Sequence, residues 1–396
     1  MMRFAIKFAA LLAVLVSATM KPAIAYEPIV KKQVFGIADF KTFGGETIAD
    51  VKVGWEAYGK LNADKSNVIL ICHYFSGNSH AAGRYAETDK QRGYWDSIIG
   101  SGKSIDTDKY YVISVDTLVG MGVGNPHVTT TGPASINPAT GKPYAMSFPI
   151  VTIRDFVDVQ KALLDSLGIK KLHAVMGASM GSLQTFEWAA VYPDRVERVI
   201  PVIGSGWATG DMIAWLNIWA APIMLDPNWN GGNYYDKKPP LKGLATAFKT
   251  VTLHAQNPEW SNSVFGRAWA KDDADPAKSF GNKFKIEETL DSVALARAST
   301  ADANHFLYLA KAIQLFYSGH GKNYYEGLLA IDAPVLLIHT NEDLIFPGDD
   351  VRETASIIKS DGTKVEVVEI QGTRGHLDGI FSIKQAGPAI TKFLNK

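Results

Sequence analysis

Three short segments of this chain carry side chains that together could perform nucleophilic acyl chemistry. The first is Gly177-Ala178-Ser179-Met180-Gly181. An apolar run, Lys171-Leu172-His173-Ala174-Val175-Met176, precedes it, and a helix-forming stretch begins at Ser182. Strand, G-x-S-x-G, helix is the order that builds a tight turn presenting a serine nucleophile. Small residues two before and two after the serine keep strand and helix from clashing. The helix N-terminus then aims free N–H groups at the reacting oxygen. A serine hydroxyl at its own pKa is a weak nucleophile, so it needs a base within reach and an acid to orient that base.

The other two segments supply them. Asp343 follows the apolar run that ends near His339, and His376 follows the last apolar run, within Gly372-Thr373-Arg374-Gly375-His376. Serine, acid, histidine is an established chain order for such a set. Ser179 is therefore expected to be the nucleophile, His376 the general base and Asp343 its orienting acid. Glu342, Asp349 and Asp350 compete with Asp343 as capping or surface acids. The oxyanion formed on attack needs two N–H donors. Met180 should give one and Phe75, in the loop His73 to His80, the other. His73 itself reads as a structural residue at a strand end. Gly122 and Gly124 do not form a phosphate loop, because no Lys-Ser/Thr pair follows them. No metal-ligand cluster stands out, and the chemistry needs no cofactor.

The elements that must position these residues alternate between strand and helix patterns. Apolar runs at Asn67–His73, Tyr110–Val115, Leu172–Met176, Val196–Ile203, Pro334–His339 and Val365–Ile370 read as buried strands. Thr152–Leu167 and Ile383–Phe393 read as helices, and the region around Val51–Tyr58 as an antiparallel edge. This alternation predicts an α/β fold, with a mostly parallel sheet and helices on both faces. The serine, the acid and the histidine would then all sit at carboxyl ends of strands, where open sheets bind ligands. From 204 to 331 no buried-strand run occurs, yet six of the nine tryptophans fall there: Trp207, Trp215, Trp219, Trp229, Trp260 and Trp269. Residues 26–203 and 332–396 are thus expected to form the core, and 204–331 an inserted helical lid. Such lids usually wall the substrate pocket.

The N-terminus reads as an export signal. Arg3 and Lys7 precede an apolar stretch, Phe8–Ala18, and Ala23-Ile24-Ala25 makes a small-x-small cleavage site. Residues 1–25 are expected to be removed and the mature protein to be periplasmic or secreted. The stretch is too short to span a bilayer, and no later run is long enough. The segment carries three basic and no acidic residues, so its removal from a chain with 40 Lys+Arg and 40 Asp+Glu leaves a net charge of −3. That gives no footprint for nucleic acid or an anionic membrane. Cys72 is the single cysteine, so no intramolecular disulfide can form.

Beyond these features, the chain resembles the homoserine O-acetyltransferase family of α/β-hydrolase-fold proteins. The resemblance is densest at Gly93-Tyr94-Trp95-Asp96 to Asp106-Thr107-Asp108, at Thr131-Gly132-Pro133-Ala134-Ser135-Ile136-Asn137-Pro138, at the serine turn, at Asp226-Pro227-Asn228-Trp229 and at Asp302-Ala303-Asn304. It implies an acetyl-serine intermediate on Ser179, with Asp343 and His376 completing the triad. It also implies a lid that can pair two copies as a homodimer. The departures concern the groups that would hold an amino acid. The family usually has Asp directly after the triad histidine, whereas this chain has Leu377 and then Asp378. Arginines expected near Trp219-Ala220-Ala221-Pro222 and Thr246-Ala247-Phe248-Lys249 are missing. Lys249, Lys311 and Asp378 are the remaining candidates for binding substrate. A buried ligand charge without a partner costs several kcal/mol. The expected activity is therefore hydrolysis of a small acyl ester through acyl-Ser179. Transfer to an alcohol acceptor is the alternative, and a non-catalytic binding role the second alternative.

Overall fold

The computed structural model describes residues 29–396, so the expected leader at 1–25 lies outside the described residues. Eight strands form one sheet: β1 Gln33–Lys41, β2 Thr47–Tyr58, β3 Val68–Cys72, β4 Tyr111–Val115, β5 Ala174–Ala178, β6 Val199–Val202, β7 Val335–His339 and β8 Val365–Glu369. Their order across the sheet is β1-β2-β4-β3-β5-β6-β7-β8. β2 pairs antiparallel with both β1 and β4, and every later pairing is parallel. The antiparallel edge expected near Val51–Tyr58 thus has β1 as its outer strand.

Strands β3, β5, β6 and β7 are buried along their whole length, as continuous apolar runs in a sheet covered on both faces must be. Alternate residues feed two cores. Val68, Leu70 and Cys72 enter one, and Ile69 and Ile71 the other. The register preserves this division, because Leu70 opposes Val175 and Ile71 opposes Met176. A slip of one residue would send each row to the wrong face.

Helices α1 Ile153–Ser166 and α2 Met180–Val191 flank the sheet. At the start of α1 the Asp155 carboxylate accepts the Thr152 N–H at 2.6 Å and the Thr152 hydroxyl at 2.9 Å. The chain then leaves the sheet after β6 and returns at β7. In between lie α3 Gly210–Leu225, α4 Leu241–His254, α5 Pro258–Val264, α6 Lys285–Ala298, α7 Ala303–Gln314 and α8 Glu326–Leu329. The remaining helices are α9 Gly348–Ser360, α10 Asp378–Phe381 and α11 Gly387–Leu394. Among the described residues no helix is long and apolar enough to cross a membrane.

The helical insertion is not a loose flap. Met212, Leu216, Trp219, Phe248 and Phe306 join the same core as α1 and α2. Polar ties fix the joint. His305 bonds the Gly120 carbonyl at 2.8 Å and accepts from the Ala134 N–H at 3.1 Å. Glu187 of α2 accepts the Gly319 N–H at 2.7 Å and pairs with Arg154 of α1.

Two elements differ from the sequence expectation. The expected strand at Leu172–Met176 lies two residues later, because β5 runs directly into the serine turn and Leu172 makes only an isolated bridge to Val196. The expected helix Ile383–Phe393 is a 3-10 turn, Ile383–Ala386, followed by α11. Pro388 sits in the first turn of α11, where its missing N–H and fixed φ favour a fresh start.

His320 packs at the joint between insertion and core, 4.8 Å from the Phe43 ring and 4.7 Å from Tyr317. Burial, and then the nearby Arg154 charge, push its pKa down to about 4. The unfolded chain takes up this proton near the ordinary histidine value, about 6.5. The unfolded state therefore binds more protons between those values, and stability should fall as pH drops from about 6.5 toward 4. His320→Phe should flatten that part of a plot of melting temperature against pH. An unchanged slope would show that His320 does not set it.

Candidate active site

The serine turn is a backbone constraint before it is a chemical site. Ser179 has φ 57° and ψ −121°, a left-handed conformation that residues with a Cβ rarely adopt. Its N–H donates to the Val202 carbonyl at 2.9 Å and its carbonyl accepts from Ser182 at 2.7 Å. Both flanking glycines are required by contact. A Cβ on Gly177 would lie 2.2 Å from the Gly181 carbonyl oxygen, and one on Gly181 would lie 2.1 Å from that of Cys72. The start of α2 is thus pressed against the end of β3, and Ser179 is lifted above the sheet.

The structure brings the three expected side chains together. His376 Nε2 is 2.8 Å from Ser179 Oγ, and His376 Nδ1 is 2.7 Å from Asp343 Oδ2. With the proton on Nδ1, the ring donates to the carboxylate and accepts from the serine hydroxyl. Asp343 is itself fixed, because its Oδ1 accepts the N–H groups of Ile345 at 2.8 Å and Phe346 at 3.0 Å. The Phe346 ring lies nearly parallel to the His376 ring, 5.8 Å away. All three side chains are largely shielded, with Ser179 8 % exposed, His376 6 % and Asp343 3 %.

Across from the serine lies the loop after β3. Among the described residues, neither the Phe75 N–H nor the Met180 N–H donates to another protein group. The loop is held from behind. His73 accepts the Thr117 N–H at 3.1 Å, which makes it the structural residue expected. Asp116 accepts the Ser79 N–H at 2.7 Å. Buried Glu56 pairs with Lys32 at 2.8 Å and His80 at 3.0 Å, and receives the hydroxyls of Tyr58 and Tyr85. Burial alone would raise the Glu56 pKa, but the His80 hydrogen bond and the Lys32 charge outweigh it and hold the group below the usual range.

A family model described as alpha/beta hydrolase fold matches residues 67–379. The homoserine O-acetyltransferase of Symbiobacterium thermophilum is 38% identical over 89% of this chain and 91% of its own length. The chain belongs to the homoserine O-acetyltransferase family of α/β-hydrolase-fold proteins. It is therefore an enzyme of the acyltransferase or hydrolase kind. The homoserine O-acetyltransferase of Methanohalobium evestigatum is 39% identical, covering 89% of this chain and 70% of that protein. Among solved structures, esterase E22 is 49% identical with a TM-score of 0.89, covering 92% of this chain and all of that one. A homoserine O-acetyltransferase from Bacillus anthracis superposes with the same TM-score at 38% identity.

The three residues expected to bind substrate do not join Ser179, His376 and Asp343. Asp378 is buried and already used, since its oxygens accept the Arg374 N–H at 2.8 Å and the Ser382 hydroxyl at 2.6 Å. It braces the loop carrying His376 instead of facing a ligand. Lys249 points to the surface and pairs with Asp291, a carboxylate shared with Lys283. Lys311 lines a separate cavity of about 300 Å³, with Leu216, Trp229 and Tyr308.

Other residues reach the site unannounced by motif. His254, at the end of α4, stacks on Trp215 at 4.0 Å, and its buried Nδ1 has no partner among the described residues. Burial, and then the charge of nearby His376, lower its pKa. Trp219 lies 5.7 Å from the Phe75 ring, and its buried Nε1 also lacks a partner among the described residues. Arg297 of α6 donates to Ser76, the residue after Phe75, at 3.0 Å. In sequence Arg297 looks like any basic residue on a surface helix, so spacing gave no signal.

Ser179→Ala and His376→Ala should each abolish turnover, and Asp343→Asn should lower kcat on the order of 10⁴-fold. Thermal melts of the three variants should stay close to the parent. Full activity in His376→Ala would refute the assignment.

Proposed function

We propose that the protein is a serine acyl-transfer enzyme that hydrolyses small acyl esters through an acyl-Ser179 intermediate. The continuous hydrogen-bond chain from Ser179 through His376 to Asp343 carries this reading. His376 Nε2 takes the Ser179 proton as Oγ attacks the ester carbonyl. The Phe75 and Met180 N–H groups receive the oxyanion, and one such donor is worth on the order of 3 kcal/mol. Protonated His376, steadied by Asp343, hands its proton to the departing alcohol. Water then enters, His376 removes its proton as the water oxygen bonds to the acyl carbon, and His376 returns that proton to Ser179 Oγ as the acyl–Ser179 bond breaks and the acid leaves.

The choice of water rests on what flanks His376. Leu377 follows it, and the Asp378 carboxylate is consumed by Arg374 and Ser382. Neither then offers a charge to an incoming ammonium group. The likeness to an esterase at 49% identity supports the same acceptor.

A second reading is transfer to an alcohol, and the curated relatives favour it. Those at 35% to 39% identity are homoserine O-acetyltransferases. The same triad serves both outcomes, and exclusion of water in the second step separates them.

Acyl release from p-nitrophenyl acetate, with and without L-homoserine, tests the proposal. Hydrolysis should require Ser179, yield acetate, and be unmoved by homoserine. Leu377→Asp should raise the fraction captured as O-acetylhomoserine, because it returns a carboxylate beside His376. Efficient O-acetylhomoserine formation by the unaltered protein would establish the second reading instead.

A further inference from the structure

Arg297 holds its charge among neutral groups of the described residues. It rises from α6 and bridges three elements. Nη1 donates to Thr252 Oγ1 of α4 at 2.8 Å, and Nη2 donates to Ser76 Oγ of the loop after β3 at 3.0 Å. The guanidinium carbon lies 4.4 Å from the centre of the Phe248 ring. Both hydrogen-bond partners are neutral hydroxyls. Among the described residues no carboxylate pairs with it. A guanidinium has five N–H donors, so these two bonds leave capacity unused.

The group is only partly exposed, and burial lowers its pKa to about 10, so it stays charged at neutral pH. Enclosing an uncompensated charge is costly, and a neutral side chain could tie α4, α6 and the loop together without that cost. The half-buried charge, with donors left over, is suited to an anionic partner from outside the chain. Its location says where that partner sits. Ser76 directly follows Phe75, so the guanidinium is anchored one residue from a proposed oxyanion donor. Ser76 and Tyr74 also line an open cleft of about 520 Å³. The Trp219 ring lies 5.7 Å from the Phe75 ring, and its Nε1, without a partner among the described residues, adds a neutral donor.

We propose that Arg297 is a substrate-binding residue that holds a carboxylate group of the ester, making this enzyme selective for small anionic esters. Arg suits the task because its planar fork matches a carboxylate with two parallel hydrogen bonds. The inference rests on the acyl-Ser179 reading for the word ester, but the anion site can be tested apart from it.

Turnover is compared for phenyl acetate, for 4-acetoxybenzoate with its carboxylate on the alcohol side, and for monophenyl succinate with its carboxylate on the acyl side. In the unaltered enzyme at least one charged ester should exceed phenyl acetate in kcat/KM. In Arg297→Met that charged-to-neutral ratio should fall on the order of tenfold or more, and Arg297→Lys should recover part of it. The ester that responds identifies the side on which the carboxylate is read. Ratios unmoved for both charged esters would overturn the proposal and leave Arg297 as a structural tie.

A binding arm needs no turnover. Benzoate and succinate are titrated into Ser179→Ala protein while tryptophan fluorescence is followed. At least one should bind, with its Kd raised tenfold or more by adding Arg297→Met. Binding that ignores Arg297 overturns the site. Arg297-dependent binding in a protein that cleaves no ester would keep the anion site and defeat the hydrolase reading.

Discussion

Every functional contact in this molecule depends on one strained residue. Ser179 is held at a positive φ because the chain must reverse from β5 into α2 within a single turn. That reversal is possible only where two backbones touch, and glycine at 177 and 181 permits the touch. The strain is confined by hydrogen bonds on both sides of the residue, to Val202 and from Ser182. The same geometry leaves the Met180 N–H facing outward at the start of α2. Strain, exposure of the hydroxyl and one oxyanion donor are thus a single backbone solution.

The opposite wall of the site is positioned by different physics. The loop after β3 has no regular structure, so its backbone groups are fixed by buried polar side chains. Asp116, Glu56, Lys32 and His73 supply this scaffold. A half-satisfied network of this kind would be costly in a low-dielectric interior, whereas a closed one specifies a unique loop conformation. Glu56 shows the closure, with its two oxygens shared among Lys32, His80, Tyr58 and Tyr85.

What could be read from sequence follows from how local the signal was. The strands were legible because a fully buried strand is a continuous apolar run, and the elbow because its constraint is spelled out within five residues. Asp343 and His376 were legible because they follow apolar runs in the right order. The residues that line the site from the insertion were not. Arg297 and His254 lie on helices whose periodicity says which face is apolar and nothing of which loop they meet. Asp378 and Lys249 show the converse. Their places, close to His376 and in the Thr246-Ala247-Phe248-Lys249 stretch where an arginine was expected, made them candidates, and local ties to Arg374, Ser382 and Asp291 engage their charges.

These contrasts separate chemistry from selectivity in the architecture. The insertion leaves the sheet after β6 and rejoins it at β7, and these two strands stay in register through Val199 with Val335 and Val202 with Ile338. Ile203 donates to the Ile338 carbonyl at 2.7 Å, which closes the gap beneath the insertion. The strand ends that carry Ser179, Asp343 and His376 therefore keep their spacing whatever the intervening helices contain. The groups that would meet the remainder of the substrate, Trp219, His254 and Arg297, all come from that insertion. A change of acceptor or of ligand charge then needs substitutions only in the insertion or beside His376, as at Leu377. A fold arranged this way can hold one triad and exchange what the triad acts upon.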